Sequence, residues 1–224
     1  MNALVKICGL STPETVDVAL AAGADLVGFV RFPKSPRHVD LDRGRALSLQ
    51  AKGKALRVAL AVDPDDAELA AVVEALDPDW LQLHGSETAD RVSAIRARFG
   101  RPVMKAVGIS DASDLSGVAV HRACDHLLLD AKPPRQRGAL PGGNGVAFDW
   151  GLLAGLDPGL RFMLSGGLNP DNVAAAIEIT GARAVDVSSG VESRPGQKDP
   201  AKIEAFVKAA RAAFAGPSVQ RHLP

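Results

Sequence analysis

The chain reads as one (β/α)8 barrel, and three observations point to it. Eight short runs rich in Val, Leu and Ile alternate with alanine-rich helical patterns across 224 residues, as expected of a parallel sheet whose two faces are both covered. The tips of successive runs keep a ruler: Cys8 to Val30, Val62 to His84, His84 to Val107, Val107 to Asp130 and Ser165 to Ser188 are each 22 or 23 residues apart. Hydrophobic residues make up 46% of the chain, enough for a full core. A doubly wound open sheet shares this alternation and is the alternative, although no GxGxxG follows the first strand.

The first element is the apolar run Leu4–Cys8, with Gly9 providing a tight turn and Lys6 and Cys8 on one face. Ser11 and Glu14 have the spacing of a capping box, and Pro13 suits the first turn of a helix over Pro13–Ala22. Further strands are expected at Leu26–Phe32, Leu56–Val62, Trp80–His84, Pro102–Val107, His126–Asp130, Arg161–Ser165 and Ala184–Ser188. Helices are expected at Leu41–Ala51, Asp66–Leu76, Glu87–Phe99, Pro170–Ile179 and Pro200–Phe214. Asp63-Pro64, Asn169-Pro170 and Asp199-Pro200 read as an N-cap followed by a first-turn proline. The barrel then occupies residues 1–214, and 215–224 is a flexible tail with no periodicity.

Two intervals break the ruler by about ten residues each, Val30 to Val62 and Asp130 to Ser165. The extra length lies mainly at Arg31–Asp40 and Ala131–Gly145. Both are βα loops, on the face where barrel enzymes build their sites. The second is expected to fold over a ligand, with Gly138 and Gly142-Gly143 as hinges.

Composition narrows the function classes. Lys+Arg and Asp+Glu number 26 each, a balance that argues against nucleic-acid and anionic-membrane partners. No apolar run approaches the ~18–20 residues of a membrane helix, and no charged-then-apolar leader opens the chain. The two cysteines, Cys8 and Cys124, have no zinc spacing and do not make a disulfide framework. A reducing, cytoplasmic setting is expected. A barrel buries its core unaided, so a monomer is favoured over a homodimer.

Chemistry concentrates at the strand tips. Cys8 is either a small buried hydrophobe or a nucleophile or base at the end of the first strand. Asp130 closes the run Leu127-Leu128-Leu129, and a carboxyl there is costly unless paired or used, as by a general acid. Ser165-Gly166-Gly167 and Ser188-Ser189-Gly190 end strands seven and eight, the recurrent phosphate position of barrels, although glycines there also simply make turns. Arg37, in a loop stiffened by Pro33 and Pro36, is either a bidentate carboxylate holder or part of a solvated basic loop. Asp186 shares a face with Ser188 and is either a sugar-hydroxyl contact or a structural acid. His84 reads as a packing or hydrogen-bonding residue of the mouth. Lys6 and Lys105 are the candidates for Schiff-base chemistry.

In order, Lys6-Ile7-Cys8-Gly9-Leu10, Pro33-Lys34-Ser35-Pro36-Arg37, Gln82-Leu83-His84-Gly85, Leu129-Asp130, Gly142-Gly143-Asn144-Gly145 with Phe148-Asp149-Trp150, Leu164-Ser165-Gly166-Gly167-Leu168 and Val185-Asp186-Val187-Ser188-Ser189-Gly190-Val191-Glu192 resemble the phosphoribosylanthranilate isomerase family of tryptophan biosynthesis. The resemblance runs from Leu4 to about Phe214. It implies an Amadori rearrangement of N-(5-phosphoribosyl)anthranilate with Cys8 as general base and Asp130 as general acid. It also implies Arg37 on the anthranilate carboxylate, Asp186 on the substrate, Gly166, Gly167, Ser189 and Gly190 around the phosphate, and no metal or organic cofactor. The rivals are another sugar-phosphate isomerase or epimerase of this fold and a non-catalytic barrel that binds a phosphorylated ligand. A related histidine-pathway isomerase is expected to carry an aspartate where Cys8 stands.

Overall fold

A computed structural model describes residues 3–132, 142–143, 145, 147–157 and 159–216. Eight parallel strands close into a barrel in sequence order: β1 Leu4–Cys8, β2 Leu26–Arg31, β3 Leu56–Ala61, β4 Trp80–Leu83, β5 Val103–Ile109, β6 His126–Ala131, β7 Phe162–Leu164 and β8 Ala184–Val187. The helices are α1 Pro13–Ala21, α2 Leu41–Ala51, α3 Asp66–Leu76, α4 Ala89–Phe99, α5 Leu115–Val120, α6 Val173–Thr180 and α7 Pro200–Ala215. A short hairpin, β9 Glu192–Arg194 with β10 Gln197–Lys198, follows the last barrel strand. The open-sheet alternative is excluded, because the eight strands close into one ring, each pairing with its two neighbours in order and β8 with β1.

Side chains alternate across each strand, and this divides the core. Val5, Ile7, Val27, Phe29, Leu81, Leu83, Leu127 and Leu129 point outward and pack against helix residues such as Leu47, Leu69, Ile95 and Phe206. Inside, Leu26, Val58, Met104, Leu128 and Met163 fill the floor, and Cys8, Val30 and Leu60 form a separate cluster above it. The floor is a packed plug, and a pocket lies at the C-terminal ends of the strands.

Several element starts differ from the sequence expectation, each for a local polar reason. The cap of α1 is Thr12, whose hydroxyl accepts from the Thr15 N–H, so the Ser11–Glu14 capping box does not form. Asp63 caps nothing: it has φ 45°, and its carboxylate accepts from Ser86, while Asp65 and Glu68 make the capping box of α3. Helix α4 starts at Ala89 because Glu87 turns back to accept from the N–H groups of Asp63 and Gly85. Asn169 accepts from the Asp171 and Asn172 N–H groups in a turn that delays α6 to Val173. Asp199-Pro200 behaves as expected, with the Asp199 carboxylate accepting from the Ala201 and Lys202 N–H groups. Helix α5 has only six residues and carries Gly117, too short and too weak a pattern to have been expected. Helix α7 extends to Ala215. Residues 217–224 of the expected tail, and the expected hinge Gly138, lie outside the described residues.

Candidate active site

The alternation that builds the floor also points Lys6, Gln82, Asp130, Ser165 and Asp186 inward, higher in the barrel. One pocket at the C-terminal mouth is lined by Cys8, Arg37, Gln82, His84, Asp130, Gly142, Gly143, Ser165, Gly166, Gly167, Asp186, Ser188 and Ser189, with Val30, Phe32, Leu60, Val62 and Leu168 as apolar wall. Seven of the eight residues singled out above for the site thus share one pocket. Gly190 is the exception: a Cβ there would lie 1.8 Å from the Leu168 carbonyl oxygen. Gly190 lets the loops after β7 and β8 touch backbone to backbone, and the pocket surface itself is left to Gly166, Gly167 and Ser189. Gly166 sits at φ 89°, and a side chain there would meet the Ala131 amide at 2.4 Å, a conformation that favours glycine.

Cys8 is 3% exposed and free. Beside it, Lys6 donates to Asp186 Oδ1 at 2.9 Å, a contact set up by the β1–β8 register that places the two residues side by side. Burial pushes the Cys8 thiol up; Lys6 and Lys198 pull it down, while Asp186 adds to the rise, and the net direction is upward. Burial lowers the Lys6 ammonium, but Asp186 and Cys8 outweigh it and Lys6 titrates above its ordinary value. Lys6 is wholly buried in this ion pair and does not line the pocket, so its amine has no approach for Schiff-base chemistry. Lys105 is turned away as well, donating to Glu87 Oε2 at 2.8 Å and to the Gly85 carbonyl at 2.7 Å.

Arg37 is 5% exposed and not a solvated loop residue. Its Nε and Nη2 bond both oxygens of Glu192, at 2.7 and 2.8 Å, and Nη2 also donates to the Gly143 carbonyl. Lys198 completes this group from β10, donating to Glu192 Oε1 at 2.8 Å and to the Ser188 carbonyl at 2.8 Å. Burial lowers Lys198 to about 8 against the pull of Glu192. Burial works the other way on Glu192, yet Arg37 and Lys198 hold it below its ordinary value. The sequence reading missed Lys198 and Glu192 as site residues. Their signal was weak: a charged residue in a short hairpin is ordinarily a solvated one.

Across the mouth, Asp130 Oδ1 accepts from the Ala131 N–H at 2.9 Å, and Oδ2 lies 3.1 Å from His84 Nε2. His84 Nδ1 in turn lies 3.0 Å from Gln82 Nε2. His84, read from the sequence as a mouth residue without a catalytic part, thus touches the expected acid directly. Cys124 is a bystander whose thiol donates to the His126 carbonyl.

Such a mouth suits a small phosphorylated molecule that needs an acid on one side and a base on the other. Comparison with known proteins converges on the same chemistry. A family model described as N-(5'phosphoribosyl)anthranilate (PRA) isomerase matches residues 5–209. An N-(5'-phosphoribosyl)anthranilate isomerase from Azorhizobium caulinodans is 61% identical over 212 residues, covering 94% of this chain and 92% of that protein. The crystal structure of phosphoribosyl anthranilate isomerase from Thermotoga maritima superposes with a TM-score of 0.84 at 38% identity, over 94% of this chain and 99% of that one. A phosphoribosyl anthranilate isomerase in complex with reduced 1-(o-carboxyphenylamino)-1-deoxyribulose 5-phosphate superposes with a TM-score of 0.81 at 34% identity, over 94% and 99% of the two chains. With the matched family model spanning the barrel from β1 into α7 and these sequence and structural relatives in agreement, the chain belongs to the N-(5'-phosphoribosyl)anthranilate isomerase family.

Proposed function

We infer that the protein isomerises N-(5'-phosphoribosyl)anthranilate to 1-(2-carboxyphenylamino)-1-deoxyribulose 5-phosphate, the aldose–ketose step of tryptophan biosynthesis, with Asp130 as acid and Cys8 as base. The observation that carries the residue assignment is that Cys8, at the end of β1, and Asp130, near the end of β6, line one pocket from different sides of the barrel.

Asp130 gives a proton to the furanose ring oxygen. The C1–O bond breaks, its electron pair leaves with the oxygen, and the nitrogen lone pair closes an iminium at C1. That cation acidifies C2–H, and the Cys8 thiolate removes the proton. The electrons pass into the iminium and form an enolamine, whose conversion to the ketone gives product. The iminium is the electron sink, so the reaction needs no metal and no organic cofactor. Cys8 is held as a thiol in the unliganded protein by burial, and the nascent cation next to it favours the thiolate. Arg37, already oriented by Glu192, holds the anthranilate carboxylate. Gly166, Gly167 and Ser189 receive the phosphate, and Asp186 both orders Lys6 and faces the ribose. Two free thiols support a reducing, cytoplasmic setting.

A coupled assay tests this reading: N-(5'-phosphoribosyl)anthranilate is generated in situ and loss of its fluorescence is followed. Turnover by wild type, reduced by ~10²-fold or more in both Cys8→Ala and Asp130→Asn, is expected. Absence of turnover in the wild type would overturn the substrate. Full turnover in either variant would overturn that residue's role.

A further inference from the structure

Gln82, His84 and Asp130 form a row across the barrel mouth, and its proton count carries a consequence. Gln82 and His84 are two residues apart around the end of β4 and reach each other at 3.0 Å, and His84 Nε2 reaches Asp130 Oδ2 at 3.1 Å. Gln82 is wholly buried, and its Oε1 has no hydrogen-bond partner among the described residues.

With the amide nitrogen of Gln82 on Nδ1, that ring nitrogen must be an acceptor. A neutral imidazole then carries its single proton on Nε2 and gives it to the Asp130 carboxylate. Both oxygens of Asp130 accept in that arrangement, one from Ala131 N–H and one from His84, and neither bears a proton to deliver. Moving the His84 proton to Asp130 would leave an imidazolate, which neutral pH does not permit. An amide turned by 180° keeps the same shape and reverses donor and acceptor. Its oxygen then accepts from Nδ1–H, and the amide nitrogen takes the position that has no partner among the described residues. Nε2 is left free to meet a protonated Asp130 or to share its proton.

We propose that Gln82 holds His84 as the Nδ1–H tautomer through its carbonyl oxygen, so that His84 Nε2 and Asp130 Oδ2 share one transferable proton. Gln82 and His84 are positioning residues for the acid, a role that rests on the assignment of Asp130 above. The balance closes over a turnover. Asp130 gives the shared proton to the ring oxygen. Cys8 takes one from C2 and returns one to C1 as the enolamine ketonises, and the enol hydroxyl proton goes back to the His84–Asp130 pair.

The test is long-range 15N–1H NMR on the whole protein labelled at histidine, with the His84 signals assigned by their loss in His84→Gln. The expected spectrum has Nδ1 protonated throughout pH 6–8, with Gln82→Glu keeping that state and Gln82→Met losing it. A wild-type spectrum with the proton on Nε2 alone and a bare Nδ1 would overturn the proposal. In kinetics, Gln82→Met is expected to lower kcat about tenfold or more with KM changed less than about threefold, and to add nothing in an Asp130→Asn background. An additive loss, or a loss confined to KM, counts against it. Failure of the isomerase reading shows separately, as absence of wild-type turnover whatever the tautomer.

Discussion

The two sides of the barrel mouth surround the proposed base, Cys8, and the proposed acid, Asp130, in opposite ways. On the base side, Cys8 stands among full charges: Lys6 with Asp186 beneath it, and Lys198 with Glu192 and Arg37 beyond. On the acid side, Asp130 is held by a backbone amide and an imidazole backed by an amide side chain. The difference matches the chemistry proposed for each side. A thiol becomes a useful base only as an anion; Lys6 and Lys198 pull Cys8 that way without outweighing burial, and their own burial is met by Asp186 and Glu192. An acid must keep a proton through binding and then release it, and neighbouring full cations would strip it too early. Hydrogen bonds with a choice of proton position serve that purpose better.

The comparison is broken most directly at Lys6. Lys6→Met leaves Asp186 buried and unpaired, and a loss of about 3–5 kcal/mol in denaturant unfolding is expected, together with an upward move of the Cys8 titration. Unchanged stability would show that the ion pair is not the base side's foundation. Next in size is Gly28→Ala. A Cβ at Gly28 would lie 2.9 Å from Cys8 Sγ, so the base is displaced and kcat is expected to fall about 10- to 100-fold, with the fold retained by circular dichroism. The same substitution leaves the acid side untouched, so the His84 Nδ1 and Nε2 signals should not move.

Arg37→Gln removes the charge expected to meet the anthranilate carboxylate. KM should rise about tenfold or more, with kcat changed much less. A loss confined to kcat would place the carboxylate elsewhere. Smaller still is the effect of Lys198→Met on thiol reactivity. Lys198 pulls the Cys8 titration down, so its removal should slow alkylation of Cys8 at pH 8 by up to about tenfold, measured in a Cys124→Ser background.

A last effect concerns stability against pH. Lys198 drops from an ordinary 10.5 to about 8 on folding, so between those values the unfolded chain binds the extra proton and Lys198's contribution to stability rises with pH. Below about 8 both states are protonated and the cost of burying the charge is complete. Wild type should therefore gain stability relative to Lys198→Met from pH 8 toward 10.5. The opposite slope would mean that Glu192 more than compensates burial.

How much of this was legible in the chain differs by level. All eight strands were readable, Leu4–Cys8 to the residue and the others to within two at either end, because a strand covered on both faces has an unbroken apolar run that little else imitates. Helices were legible where periodicity ran for three turns, as in Leu41–Ala51 and Asp66–Leu76. They were misplaced at their starts where Asp63, Glu87 and Asn169 bonded elsewhere than the nearest helix. Asp130 stood out because a carboxylate closing an apolar run is locally anomalous; Cys8, ordinarily a small buried hydrophobe, was singled out by its place at the first strand tip and by the resemblance.

The sequence by itself determined the alternation of eight strands with helices and the residues that end those strands, since these follow from local pattern and spacing; closure into a ring was left to the structure. Tertiary structure alone decided the partnerships. Lys6 meets Asp186 across 180 residues, Arg37 meets Glu192 across 155, and His84 meets Asp130 across 46. Ring closure and strand register set those distances, and neither is written in any single stretch of chain. A buried charge declares its partner only when the fold has removed the water that would otherwise serve it.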